Sequence, residues 1–305
     1  MRSSHPRYDL LRKRLDLFTR MLPGIEEGDI RALHRMRVAS RRLRELLPIL
    51  QIDRDVARKL GRRLRRVTKR LGTVRELDVL ILLLNELHES SRYHEGGLGR
   101  VSAEVARRRD EAREALEDKL PKAGLRRLAS KLENVTESLK AAPAEPGRRQ
   151  DTGWRWAVEA RVASRATRLA DAVRDAGALY LPERLHAVRI AVKKVRYSVE
   201  LAVELAGEKN TPDLRTLTHA QDVLGRMHDL QVLIDRVREI QAAAPADARA
   251  ERELQAMVDT LENDCRRLHA RYVRDRAPLA AICARAVARP QTAPARRVAP
   301  RRVAS

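Results

Sequence analysis

Aromatic residues make up only 3% of the 305-residue chain: one Phe, two Trp and five Tyr. Binders of single-stranded nucleic acid usually stack bases on aromatic platforms. Here the aromatics are scattered, and only Tyr197 adjoins a motif described below. Cysteine is equally scarce. Cys265 and Cys283 lie near the end of the sequence without metal-ligand spacing and read as small apolar residues in a reducing compartment. Long hydrophobic runs are missing too. The longest, Val79 to Leu84, is far too short to cross a bilayer, and the N-terminal stretch has no apolar signal core. These absences predict a cytoplasmic protein with no membrane association. No closely spaced histidines or clustered carboxylates suggest a metal centre, so no enzymatic activity and no cofactor are expected.

Acid is in short supply relative to base. Against 64 Lys and Arg stand 42 Asp and Glu, a formal net charge of +22. Such an excess costs self-repulsion in the compact state, which a polyanionic partner would relieve. Only 10 of the basic residues are Lys. Arginine, the remainder, offers a planar fork that matches phosphate oxygens bidentately and a charge that does not titrate.

What is abundant is Ala, Leu, Arg and Glu, all good helix formers. Helical periodicity runs through nearly the whole chain, and no two-residue alternation appears. The pattern predicts an all-α protein with helices near 7–22, 30–50, 53–71, 74–89, 98–120, 122–140, 152–176, 182–206, 212–224, 227–242, 248–276 and 279–288. Asp29 caps the second of these. Gly72 and Gly225 mark breaks, and Thr73 with Glu76 forms a capping box after the first break. Residues 141–151 read as a linker, and 289–305, with five Arg and no acid, as a disordered basic tail.

Two blocks of sequence recur. Leu33-His34-Arg35-Met36-Arg37-Val38-Ala39-Ser40-Arg41-Arg42-Leu43-Arg44 aligns with Leu185-His186-Ala187-Val188-Arg189-Ile190-Ala191-Val192-Lys193-Lys194-Val195-Arg196. Further on, Leu71-Gly72-Thr73-Val74-Arg75-Glu76-Leu77-Asp78-Val79-Leu80 aligns with Leu224-Gly225-Arg226-Met227-His228-Asp229-Leu230-Gln231-Val232-Leu233. Two blocks in the same order, at nearly the same offset, mark an internal duplication. The expected units are 1–140 and 152–288.

On a helix, the first block separates into two stripes. Leu33, Met36, Ser40, Leu43, Leu47 and Leu50 face a core, and His34, Arg37, Arg41 and Arg44 lie beside them. In the second copy Leu185, Val188, Val192, Val195 and Val199 are apolar, and His186, Arg189, Lys193 and Arg196 are basic. A solvated face usually interleaves Glu with Lys, whereas no acid falls on either basic stripe until Glu200. The next helix adds Arg58, Arg62, Arg65, Arg66 and Lys69 around a seam of Leu60, Leu64, Val67 and Leu71. Outward members such as Arg63 and Arg70 read as solvated surface. The matching second-half stretch is much less basic, with Arg215 and His219 at the places of Arg62 and Arg66. A polyanion should therefore be gripped mostly by the first repeat.

These blocks resemble the signature of the CHAD family, named for a conserved-histidine α-helical domain. That signature pairs a His-x-x-Arg-x-x-x-basic-basic-x-Arg helix with a Leu-Gly-x-x-Arg-Asp-Leu-like segment about forty residues later, once in each half. The match spans roughly residues 7–288, with Glu76 in place of an expected Asp and His228 where the first copy has Arg75. The resemblance implies internally duplicated helical bundles related by a pseudo-two-fold axis, with the basic stripes lining a central groove or pore. It also implies non-enzymatic binding of inorganic polyphosphate at polyphosphate granules. CHAD segments can be fused to triphosphate-cleaving domains with a Glu-x-Glu-x-Lys strand, and no such motif occurs here. The alternative is a basic helical nucleic-acid binder. Nonspecific nucleic-acid binding in vitro is expected from charge alone. The sequence carries no signal for oligomeric state.

Overall fold

The computed structural model describes residues 6–141, 148–208, 211–243 and 248–288. The basic tail at 289–305 and most of the 141–151 segment lie outside the described residues. The described chain is all helical: α1 (Pro6–Thr19), α2 (Leu22–Glu26), α3 (Ile30–Leu46), a short 3-10 turn at Leu47–Ile49, α4 (Arg54–Glu89), α5 (Glu95–Lys119), α6 (Lys122–Ala141), α7 (Arg148–Ala176), α8 (Pro182–Ala206), α9 (Pro212–Ala243) and α10 (Ala248–Ala288). None of the described helices is long and apolar enough to cross a membrane.

Three helices run through expected breaks. Gly72 lies inside α4, so Thr73 and Glu76 form no capping box, and Gly225 lies inside α9. α10 continues through Pro278, where the sequence pattern predicts a break between 276 and 279. A helical glycine costs only about 1 kcal/mol, and each of these helices buries a long apolar seam that outweighs it. In α4 that seam is Leu60, Leu64, Val67, Leu71, Val74, Leu77, Leu80, Leu84 and Leu87. Other local signals hold. The Asp29 carboxylate accepts the backbone N–H groups of Arg31 and Ala32, both at 3.0 Å, and starts α3. Gly207 ends α8 in the left-handed conformation, with φ at 75°.

Two hydrophobic cores form. The first gathers Leu11, Leu15 and Phe18 of α1, the apolar stripe of α3, the N-terminal half of α4, Leu125, Leu128 and Leu132 of α6, and Trp154 and Val158 from the start of α7. The second gathers the C-terminal half of α4, Leu98, Val101 and Val105 of α5, the end of α7, and the seams of α8, α9 and α10. Packing partners follow a similar order in each half: α1 lies on α3 and α6, and α7 lies on α8 and α10. The division between cores nevertheless runs through α4 and α7 rather than at residues 141–151. Each of these long helices serves both cores, which fixes the two halves against each other. Trp154 is buried in the first core while Trp156 is exposed, so only one of the Trp-x-Trp pair packs.

Ion pairs add to the seam between halves. Glu204 of α8 takes Lys13 and Arg14 of α1, and Glu45 of α3 takes Arg161 and Arg165 of α7. Arg226 of α9 holds Glu86 of α4 through two bonds at 2.7 and 2.8 Å.

Candidate functional site: a cleft of unpaired cations

The apolar stripes set the orientation of the basic ones. Leu33, Met36, Ser40 and Leu43 are buried and pin α3, and Leu185, Val188, Val192 and Val195 do the same for α8. That register turns His34, Arg37 and Arg41 of α3 toward Arg189, Lys193 and Arg196 of α8. Side chains meet across the gap. The Arg41 guanidinium lies over the Tyr197 ring, 4.7 Å from its centroid, and Arg196 lies over the same ring at 5.0 Å. Arg189 repels Arg37, and Lys193 feels both Arg37 and Arg41. α4 contributes Arg75, close enough to act on His34 and Arg37, and α9 contributes His228 and Asp229. Gly72 belongs to this packing. A Cβ placed there would lie 4.0 Å from Arg37 Nε, an ordinary van der Waals contact. At Gly225 a Cβ would meet nothing within 4 Å.

Around Arg37 and Arg189 carboxylates act only from a distance: Glu76 pulls on both and Asp229 on Arg189, without an ion pair to either among the described residues. The half-buried arginines that join the halves, Arg14 and Arg165, each hold a carboxylate. Arg37, Arg41, Arg189 and Lys193 are half-buried and make no ion pair or hydrogen bond among the described residues. The Nε atoms of Arg37, Arg41 and Arg189, and Nδ1 of His34, are buried without partners. An unsatisfied buried donor costs about 1–3 kcal/mol, more when it is charged. Carboxylates are available throughout the molecule, and none pairs here. Guanidinium and ammonium donors left open in this way have the chemistry to accept the oxygens of an anion.

Proton affinities record the same frustration. Burial lowers the pKa of Arg37, Arg41 and Arg189 from the usual guanidinium range, and neighbouring cations push Arg37 and Arg41 further the same way. Lys193 falls to about 7 through burial, with Arg189, Arg41 and Arg37 adding to the effect. His228 falls to about 4, again through burial first, then Arg189, His186 and Lys193. His34 and His186 shift down for the same reasons. Asp229 shifts up because burial outweighs the pull of Arg189, Arg226, Arg75 and Lys193.

Not every expected residue shares this environment. Arg44 lies 3.9 Å from Glu45, and Arg196 is held by Glu200 and by Gln221 at 2.9 Å. Arg196 is thus neutralised, while Arg44 shares Glu45 with Arg161 and Arg165, which hold it more closely. At the other end, His34, Arg31, Arg35, Arg75 and Arg113 line a shallow cavity of about 670 Å³. On the second-half side His186, Arg189 and His228 line a niche of only about 30 Å³ with Tyr180 and Gln231, and the two imidazole rings lie 4.8 Å apart. Arg62, Arg65, Arg66 and Lys69 are exposed on α4 without ion pairs among the described residues, and Arg58 is paired with Asp55 at 2.7 Å. By helical geometry Arg62, Arg65 and Lys69 project within about 80° of Gly72, on the cleft side, while Arg66 turns about 120° away.

Four residues escaped the sequence reading of the site. Arg75 and His228 occupy matching places in the second pair of aligned blocks, and Tyr197 directly follows the second copy of the first block. Arg113 comes from α5, whose sequence carries no comparable signal. Among the described residues no group of three or more His, Cys, Asp or Glu is placed to hold a metal ion. Cys265 and Cys283 are buried free thiols, as expected for small apolar residues.

Comparisons with known proteins agree with this architecture. The CHAD domain family model matches residues 9–238. The fold is similar to the crystal structure of the CHAD domain from the plant Ricinus communis, with a TM-score of 0.64 and 23% identity over 90% of this chain and 91% of that one. It is also similar to PptA from Streptomyces chartreusis, with a TM-score of 0.58 and 20% identity over 94% of this chain and 99% of that one. No curated protein matches the chain.

Proposed function

The chain belongs to the CHAD domain family, and from that membership and the geometry of the cleft we propose that it binds inorganic polyphosphate without catalysing its turnover. The observation that carries the reading is the set of half-buried guanidinium groups of Arg37, Arg41 and Arg189, which face one another and Lys193 with buried, unpartnered Nε atoms and no acid paired to any of them. Polyphosphate is a flexible strand with about one negative charge per phosphate and no bases to read, so its recognition needs cationic donors rather than aromatic platforms. The two helices supply donors on opposite sides of the strand. The α4 flank bearing Arg62, Arg65 and Lys69 extends the track, so a long chain engages more of the surface than pyrophosphate can. A cytoplasmic protein at polyphosphate granules is the setting this reading implies.

The test is a competition titration with long-chain polyphosphate, orthophosphate, heparin and DNA across a salt series. Long-chain polyphosphate should win at every salt concentration, with an affinity that falls steeply as salt rises. A preference for DNA would point to nucleic-acid binding, and equal affinity for pyrophosphate and long chains would point to an enclosed phosphate pocket.

A further inference from the structure

Lys193 is set apart from the other described lysines. It alone is half-buried, and the others, including its neighbour Lys194, are exposed. Its ammonium has no hydrogen bond or ion pair among the described residues. It faces Arg189 on its own helix and Arg37 and Arg41 from α3. Asp229 of α9 acts on it in the opposite sense, more weakly than any of the three arginines. Three surrounding guanidinium groups with unpartnered Nε atoms would hold an anion beside this amine.

We propose that Lys193 is a chemically reactive amine, open to acylation by small anionic acyl donors of the acyl phosphate class. The proposal rests on reading the cleft as a polyanion site, because the same guanidinium groups that would hold a polyphosphate unit orient the donor's phosphate. Burial and the three arginines bring Lys193 to about 7, so near neutral pH a large share of the amine carries a free lone pair. That lone pair attacks the carbonyl carbon of the donor. The N–C bond forms, the C–O bond to phosphorus breaks, and phosphate leaves with the bonding electrons. The extra proton on Nζ passes to solvent or to the leaving phosphate. The product is a neutral amide, so acylation deletes the charge that Lys193 contributes beside His186 and His228 and weakens the site it occupies.

The experiment uses the full chain with acetyl phosphate and mass-spectrometric quantification of acetylation at each lysine. Lys193 should be modified about tenfold faster than Lys194 at neutral pH. Its rate should rise with pH through about 7, and long-chain polyphosphate should suppress it. Arg37→Gln should reduce the Lys193 rate with acetyl phosphate more than with the uncharged N-hydroxysuccinimide ester of acetic acid, separating anion guidance from amine reactivity. Equal rates at Lys193 and Lys194 in the wild-type protein would overturn the proposal. Selective, pH-dependent labelling in a protein that polyphosphate neither protects nor binds would support the reactive lysine while sinking the polyphosphate reading.

Discussion

The two walls of the cleft come from aligned sequence blocks and carry different kinds of charge. The first wall presents Arg37 and Arg41 from α3 and Arg75 from α4, all guanidinium groups that stay charged at any ordinary pH. The second presents Arg189 but replaces Arg41 with Lys193 and Arg75 with His228, and both replacements titrate at or below neutrality. Space differs as well, with an open cavity beside His34 and a small niche beside His186. The guanidinium groups of the first wall thus carry a fixed positive charge. The second gains charge when protons arrive, whether from acid or because a bound polyanion raises the proton affinity of Lys193 and His228. Two aligned sequence blocks can in this way carry permanent charge on one wall and conditional charge on the other.

The largest effect should follow from inverting the permanent wall. Arg37→Glu with Arg41→Glu should weaken long-chain polyphosphate binding by about a hundredfold or more, since each charge-assisted contact is worth about 1.5–3 kcal/mol. The matched change in the other wall, Arg189→Glu with Lys193→Glu, should cost less at pH 8 than at pH 6, because Lys193 contributes its charge only at the lower pH. Titrations of both variants at the two pH values check this, and equal losses at both would remove the distinction between the walls.

Acidity should separate the walls next. An anion bound beside Lys193 and His228 raises their proton affinity, so the complex holds more protons than the free protein. Affinity should therefore strengthen as pH falls from 8 to 6, mostly through Lys193. His228→Arg makes that position a permanent cation like Arg75 and should raise affinity at pH 8, while Lys193→Arg should flatten the pH dependence. Stability without ligand runs the opposite way. Lys193 is depressed to about 7 in the folded state against about 10.4 when unfolded, so between these values the unfolded chain binds the extra proton. The Lys193 contribution to stability should rise with pH across that window, and Lys193→Met should flatten it in thermal melts.

Smaller effects belong to the periphery. Neutralising Arg62 and Arg65 on the cleft side of α4 should cost severalfold for long chains and little for short ones, and Arg66→Gln should cost less than either. Removing residues 289–305 takes away five positive charges and should lower affinity only modestly, with a shallower salt dependence. A tail deletion that abolished binding would move the site off both walls.

Much of this was legible beforehand because it depends on helical periodicity. The stripes of α3 and α8, the Asp29 cap and the buried seam of α4 are local consequences of spacing, and each stands as read. The breaks at Gly72 and Gly225 failed because local propensity is weak against a seam that continues on both sides. The convergence of the stripes was implied by the family resemblance alone, since nothing within one helix says what it faces. Tyr197 illustrates the limit. Its place beside Arg196 is visible in sequence, but its contact with Arg41 depends on how α3 and α8 oppose each other across the gap.

The central claim is that cation placement in the cleft, rather than total charge, holds the ligand. Two charge-matched variants test it most directly: Arg37→Glu with Arg41→Glu, and Arg63→Glu with Arg70→Glu. The second pair points about 160–180° from Gly72 on α4, away from the cleft. Polyphosphate titrations of both at one salt concentration, with helicity verified by circular dichroism, should show binding lost in the first and kept within about threefold in the second. Equal losses in the two would contradict the account, because net charge alone would then explain the affinity.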